Sequence, residues 1–594
     1  MKDKKRLIYI FKIYKLMFAK YKPQIAVLAI LAFLSGFLEG IGIGIIIPLF
    51  AFLIDKGALG TDIITRFISG IFGFLGMELK LAPLLVFMFF LFVFKAIATL
   101  VFGYIRTRII IDYTHDLKTD LYRKTFSASW PYLLKQKAGY LNVTMTSDVR
   151  AYESMLSAIT SLILVITGLV IYITIAISIS FFITVTAIIS GAFILYLFKP
   201  LLFKSKRYAK ILADLYKATV HEVQQNLSGI KIIKAMALEM AVARSVYPLF
   251  ELWRKTSIRS TIIKSISSAT MMQPFILLFI IFIFAISYSR PGFQLASFVA
   301  IIYLSQRIFG FFGDLQHSLQ QIGMAIPSVQ NVISLAEEIK KHSERDFGTR
   351  EFNFERELEF RDIYFSYISG RPIFEGLTFA IKKGESLGII GASGAGKTTL
   401  VDLCLRLLEP NKGAIIVDGV PADEISLGDW RKAIGYVSQD IFIKNETIEN
   451  NIRFHDYNIS ERNIIEAAKK ANIYDFVMNL PDKFQTTVGD RGVMLSGGER
   501  QRVQLARVFA RSPSILILDE ATSALDNESE KAVQDALESV KSQYTMIIIA
   551  HRLSTVMNCD RLIVLGGGKI MESGKPADLL KDQDSYFYKT YNLR

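Results

Sequence analysis

Six long apolar runs occupy the first half of the chain, at residues 25–54, 81–105, 155–179, 181–203, 266–287 and 293–312. Each is near or above the roughly 20 residues that a helix needs to cross a bilayer. The hydrocarbon core holds no water for backbone N–H and C=O groups, so runs of this kind must be helical. Residues 1–340 are therefore read as an all-α transmembrane domain of six helices. The third and fourth runs meet in a tight hairpin around Ser178–Ser180. The segments 106–153 and 204–264 are rich in Lys and Arg. That excess places them in the cytoplasm with the N-terminus, and the turn Arg290-Pro291-Gly292 outside. The same rule explains the formal charge of +15, so nucleic acid is not an expected partner. No cleavable signal peptide is evident. Residues 1–22 mix Lys with Leu7, Ile8, Phe11 and Leu16, which suits an amphipathic helix on the inner membrane surface.

The polar segments keep a helical pattern, so spans two to five are expected to extend into the cytoplasm. Short helices near 141–148 and 227–234 would end these extensions and press on the second half of the chain. Gly36, Gly40 and Gly44 form a G-x-x-x-G-x-x-x-G face suited to close helix packing. Glu39 and Lys95 lie within spans, where charges face a cavity or a partner. Lys95, assisted by Arg307, could hold an anionic head group; alternatively Lys95 pairs with Glu39. Residues 61–77 carry Ile63, Ile64, Phe67, Ile68, Ile71, Phe72 and Leu75 at helical spacing. They read as a short helix on the outer leaflet, either receiving a lipid or acting as a passive cap.

A hydrophilic linker at 340–346 separates this half from residues 341–594, where strand-like and helical runs alternate as in an α/β domain. Gly391-Ala392-Ser393-Gly394-Ala395-Gly396-Lys397-Thr398-Thr399 fits the phosphate-binding loop G-x-x-x-x-G-K-[ST]. It follows the apolar run Leu387–Ile390 and precedes a helical one, the context that the motif requires. Its glycines turn backbone N–H groups toward phosphate, and the helix N-terminus adds favourable charge. Lys397 would reach the β- and γ-phosphates of ATP, and Thr398 would ligate Mg²⁺. The buried strand pattern Ser514–Leu518 ends in Asp519 and Glu520. Asp519 is a candidate for Mg²⁺, and Glu520 for the base that polarises the attacking water. The two cysteines, Cys404 and Cys559, are too few for a disulfide framework.

Leu495-Ser496-Gly497-Gly498-Glu499 opens another helical pattern and offers a second phosphate-contacting surface through Ser496, Gly497 and Gly498. This L-S-G-G-[EQ] sequence resembles the signature of ATP-binding cassette (ABC) proteins. The resemblance covers nearly the whole chain. It implies an α/β P-loop ATPase domain of ABC type and a homodimer, in which the signature of one subunit closes over ATP held by the other. Further residues match family motifs. Tyr367 matches the aromatic residue stacked on adenine, and Gln439 the glutamine that contacts Mg²⁺ and senses the γ-phosphate. Asp526 lies in the loop between the two ATP sites, and His551 matches the switch histidine at the γ-phosphate. Asp490 stands where the exporter-type loop usually has Glu.

Six spans followed by one ATPase domain resemble an ABC half-exporter with helices swapped between subunits, working by alternating access in a bacterial inner or plasma membrane. The run from Phe37 to Pro48 and the stretch Phe92-Val93-Phe94-Lys95-Ala96 resemble lipid-linked oligosaccharide flippases, with Lys95 in place of an arginine. That implies an amphipathic, lipid-linked or other anionic substrate. A broad drug or peptide exporter is the alternative, although no peptidase domain precedes the first span. An ATP-gated channel or regulator would share the architecture. A soluble ATPase would not, because of the spans.

Overall fold

The computed structural model describes residues 20–45, 49, 63–74, 76, 78, 80–266, 273–288, 295–368, 370–520, 526–550 and 552–592. The chain divides into two compact units. The first comprises residues 1–128 and 132–343, and the second residues 129–131 and 344–594. The boundary falls three residues beyond the expected 340/341, because the last helix of the first unit runs on to Lys341.

The first unit is helical. Span one is α1 (Lys22–Gly44), followed by the short α2 (Ile63–Phe74) and span two, α3 (Leu81–Phe126). The polar segment after α3 is helical rather than looped. It holds α4 (Ala138–Val143) and a π-helical turn, Thr144–Asp148, which runs into span three, α5 (Val149–Ile179). One extended residue, Ser180, separates α5 from span four, α6 (Phe181–Ser228). Next come the short α7 (Ile230–Ala235), α8 (Glu239–Ile266) and α9 (Gln273–Tyr288), and then α10 (Leu295–Lys341). Among the described residues, four helices are long and apolar enough to cross a membrane, against six expected. Residues 267–272 of the fifth expected run, between α8 and α9, lie outside the described residues, as does the Arg290-Pro291-Gly292 turn.

The spans expose large apolar side chains such as Phe89, Phe90, Phe193, Leu278 and Phe282, as lipid contact requires. The glycine face of α1 packs against α5: a Cβ on Gly36 would lie 2.9 Å from Ile171 Cδ1, and one on Gly40 2.6 Å from Ile175 Cδ1. The apolar helix expected in 61–77 is present as α2. It buries Ile68 and Phe72 against Leu84 and Leu91 of α3 and leaves Phe74 exposed.

The second unit is built on a six-stranded sheet of order β10-β9-β3-β8-β7-β6 and a four-stranded antiparallel sheet of order β2-β1-β4-β5. The strands are β1 (Glu357–Phe365), β2 (Phe374–Lys382), β3 (Ser386–Gly391), β4 (Lys412–Val417), β5 (Val420–Pro421), β6 (Ile434–Val437), β7 (Ile515–Asp519), β8 (Thr545–Ile549), β9 (Arg561–Gly566) and β10 (Lys569–Gly574). Strands β6, β7, β8, β3 and β9 run parallel, and β10 returns antiparallel. Both faces of β7 and β8 are buried, which explains their unbroken Ile/Leu/Met runs. Trp430, fully buried, fixes the core by donating from Nε1 to Cys404 O at 2.8 Å.

Candidate functional site

The phosphate loop joins β3 to α11 (Lys397–Cys404), at the carboxyl edge of the sheet where ligands bind in such folds. Its glycines are required by geometry. A Cβ on Gly391 would lie 2.4 Å from Leu565 O, and Gly396 has φ +95° with Phe374 close by. Lys397 is buried, and its Nζ donates to Gly391 O at 2.9 Å and Ala392 O at 3.2 Å. An ammonium has three donors, so one remains for a phosphate oxygen. Burial lowers the Lys397 pKa, while nearby Glu520 and Asp519 oppose the shift. The loop residues Ser393, Gly394 and Thr398 are exposed, Ala395 is half-buried, and Thr399 is buried. The Thr399 hydroxyl lies 3.3 Å from Tyr367 OH. Tyr367 is 54% exposed, and its ring meets Phe365 edge-on.

Asp519 and Glu520 sit where β7 ends. Asp519 is buried and accepts a bond from Tyr436 OH at 3.5 Å. Glu520 has φ +51°, a left-handed conformation that non-glycine residues rarely adopt and that clusters at functional sites. Its carboxylate accepts a hydrogen bond from Gln439 Nε2 at 2.6 Å. The structure thus joins two residues that the sequence placed 81 positions apart. Sequence reasoning missed Asp402 on α11. Burial, and then the charge of Asp519, raise its pKa to about 6.

Ser496 caps α12 (Gly497–Phe509): its Oγ accepts from Glu499 N, and Glu499 returns a bond to Ser496 N. A Cβ on Gly498 would meet Ser529 Oγ at 2.3 Å. Ser529 N in turn donates to Asp526, at 3.2 Å. Ser529, also missed in the sequence, links the signature to the Asp526 loop. A hydrogen bond from the Ser529 side chain, and then this backbone one, lower the Asp526 pKa. His551 and residues 521–525 lie outside the described residues. Burial holds both cysteine thiols up at about 12, so they are inert.

Three membrane charges also meet. Glu39 of α1 is buried, and its Oε1 pairs with Lys95 Nζ of α3 at 2.9 Å and with Arg307 Nη2 of α10. The Arg307 guanidinium lies over the rings of Tyr172 and Phe311. The geometry is that of the expected Lys95–Glu39 pair, with Arg307 as a third member. Two cations to one carboxylate leave the cluster with a net positive charge. Residues of α1, α2 and α5, among them Gly40, Phe67 and Ile171, line a half-open, mostly apolar cavity of about 370 Å³.

Residues 25–312 match the family model "ABC transporter transmembrane region", and residues 374–523 match "ABC transporter". An ATP-dependent lipid A-core flippase of Syntrophus aciditrophicus is 32% identical over 81% of this chain and 80% of its own. The chain belongs to the ABC transporter family. A flippase of the same description from Methylobacillus flagellatus is 30% identical over 87% of this chain and 89% of its own. The fold matches a bacterial Atm1-family ABC exporter solved with ATP bound, at TM-score 0.80 and 24% identity, over 96% of this chain and 98% of that one. This ABC transporter is a membrane protein that binds nucleotide and couples ATP hydrolysis to export or flipping.

Proposed function

We propose that this ABC transporter is a homodimeric flippase for an anionic amphiphile, of which a lipid-linked oligosaccharide is one candidate, working by alternating access. The observation that carries the substrate reading is the net positive cluster of Glu39, Lys95 and Arg307 within the spans. An intramembrane cation in excess of its carboxylate attracts an anionic head group. The two flippase relatives, named for lipid A-core, support a lipid substrate. In this reading each ATP lies on the phosphate loop of one subunit and under Ser496, Gly497 and Gly498 of the other. Thr398, Asp519 and Gln439 would hold Mg²⁺, Glu520 would polarise water, and His551 would contact the γ-phosphate. ATP favours the closed dimer over the open one, and that difference drives the spans outward. The ATPase unit faces the cytoplasm of a bacterial inner membrane.

The cavity beside Gly40 favours a second reading, a broad exporter of uncharged hydrophobic molecules, because its walls are almost wholly apolar. ATPase activity in nanodiscs, with lipid-linked oligosaccharide or a hydrophobic drug added, separates the two. Stimulation by the anionic lipid, lost in Lys95→Ala, supports the flippase. Stimulation by the drug alone supports the second reading.

A further inference from the structure

The cytoplasmic end of the membrane unit holds a second charge centre, outside both sites described above. Asp148 ends the π-helical turn between α4 and α5 and is almost wholly buried. Its Oδ2 accepts from Lys217 Nζ of α6 at 3.2 Å and from Asn331 Nδ2 of α10 at 3.0 Å. Lys217 is itself 13% exposed. One carboxylate therefore ties the starts and extensions of spans three, four and six at a single point. A π-turn carries one extra residue per turn, is unfavourable in isolation and is found mostly at functional sites. Here it turns Asp148 inward.

Short helix α4 is fixed to the same point from its other end. Gly139 lies so close to α6 that a Cβ would meet His221 Cα at 2.9 Å. The neighbouring Tyr140 ring meets His221 edge-on at 5.8 Å. Helix α4 thus has two anchors on α6, one steric and one ionic, and the ionic anchor is shared with α10. Helix α10 ends at Lys341, just before the second unit begins at Glu344.

We propose that Asp148 is a positioning residue for ATP-driven transport: it locks α4, α5, α6 and α10 into one body, so that displacement of α4 moves three spans together. A packed element held by one steric and one ionic anchor transmits displacement; without the ionic one, α4 can rock on Gly139 while the spans stay in place. The proposal rests on the alternating-access reading.

The test uses the full chain in nanodiscs with one spin label per protomer. One series labels Phe74→Cys, to report the outer face. Another labels Met571→Cys, to report the ATPase units. Both positions are exposed and both native cysteines are buried, so the labels go where intended. The parent and the double variant D148L/K217M are compared with and without ATP and vanadate. Replacing a buried ion pair with apolar side chains of similar size is often neutral for stability; Asp148→Asn, which keeps shape, serves if the double variant does not fold. The expected result is an unchanged ATP-driven shift at residue 571 with an outer-face response at residue 74 reduced roughly fivefold, within the range that packed coupling networks carry. A full response at both labels overturns the proposal. Loss of response at both overturns it too, because Asp148 would then support the ATP site or the fold rather than coupling. A parent that shows a shift at 571 and none at 74 overturns alternating access itself, and this role with it.

Discussion

Glu39 and Glu520 are carboxylates in the candidate sites of their units, and they differ in the groups hydrogen-bonded to them. Glu39 is clasped by two cations, Lys95 and Arg307. Glu520 takes a hydrogen bond from the neutral amide of Gln439. The cations make Glu39 a counter-ion that ties α1, α3 and α10 together. The amide orients Glu520 without itself bringing a charge, as suits the base proposed here, and the Lys397 ammonium lies near enough to feel the carboxylate. The backbone differs in the same sense. Glu39 sits in a regular helix, whereas Glu520 holds φ +51°, a conformation that costs about 1–3 kcal/mol and persists only where its surroundings fix it. The use of an acid is therefore read from what faces it rather than from its burial.

Glu520→Gln tests the contrast most severely. The base is lost and the candidate Mg²⁺ ligands remain, so turnover should fall roughly 10²–10⁴-fold while ATP stays bound. Paired ATPase and nucleotide-binding measurements check this, and undiminished turnover would remove Glu520 from its role. Glu39→Gln should instead act on stability. Breaking a fully buried pair costs about 3–5 kcal/mol. The Lys95 and Arg307 side chains keep 24% and 41% exposure, so about 2–3 kcal/mol is expected here. Thermal unfolding in nanodiscs reads it. An unchanged midpoint would mean that the clasp carries no stability and that its cations can serve an anion at no structural cost.

The two centres were unequally legible in the sequence. The candidate ATPase residues lie in short contiguous motifs at fixed positions after strands, so spacing alone singled out Lys397, Thr398, Asp519 and Glu520. Contacts across the fold were not legible in that way. Gln439 meets Glu520, and Ser529 meets Gly498, only because the parallel sheet brings their loops to one edge. In the membrane unit, residues 39, 95 and 307 come together through three separate helices, and the sequence left the cations open between a head group and Glu39. Apolar run length located four of the six expected membrane helices among the described residues, but not their ends. Helices α3, α6 and α10 run for 46, 48 and 47 residues, since a helix that leaves the bilayer loses its apolar signal but keeps its hydrogen bonds. Pro200, Pro248 and Pro327 lie inside helices, where local propensity alone would have broken them.

Gln439→Ala sharpens the comparison at smaller scale. A hydrogen bond to a charged group is worth about 1.5–3 kcal/mol, so turnover should fall by about tenfold or more with Glu520 still present. ATPase rates over a range of Mg²⁺ concentrations then separate its two expected duties. A defect rescued by excess Mg²⁺ assigns Gln439 to the metal, and one that persists assigns it to orienting Glu520.

Asp402 supplies a third kind of partner, and the smallest effect. Its half-burial, and then the charge of another acid, Asp519, raise its pKa to about 6. An ordinary aspartate titrates near 3.9. The folded state therefore holds this proton more tightly than the unfolded chain does. By linkage, the associated stability is fully present below about pH 4 and is lost as pH rises through about 6. Asp402→Asn cannot ionise, so the difference between variant and parent should grow in favour of the variant across that window and level off above it. Unfolding midpoints of the full chain at pH 4.5 and 7.5 measure the difference, and subtraction removes the other titrating groups. A difference independent of pH would mean that Asp402 ionises alike in both states, and that the repulsion from Asp519 is relieved by water at the strand edge. A difference of the expected sign would make Asp402 the counterpart of Glu39: a half-buried carboxylate that opposes the fold unless a cation sits beside it, as Mg²⁺ on Asp519 would.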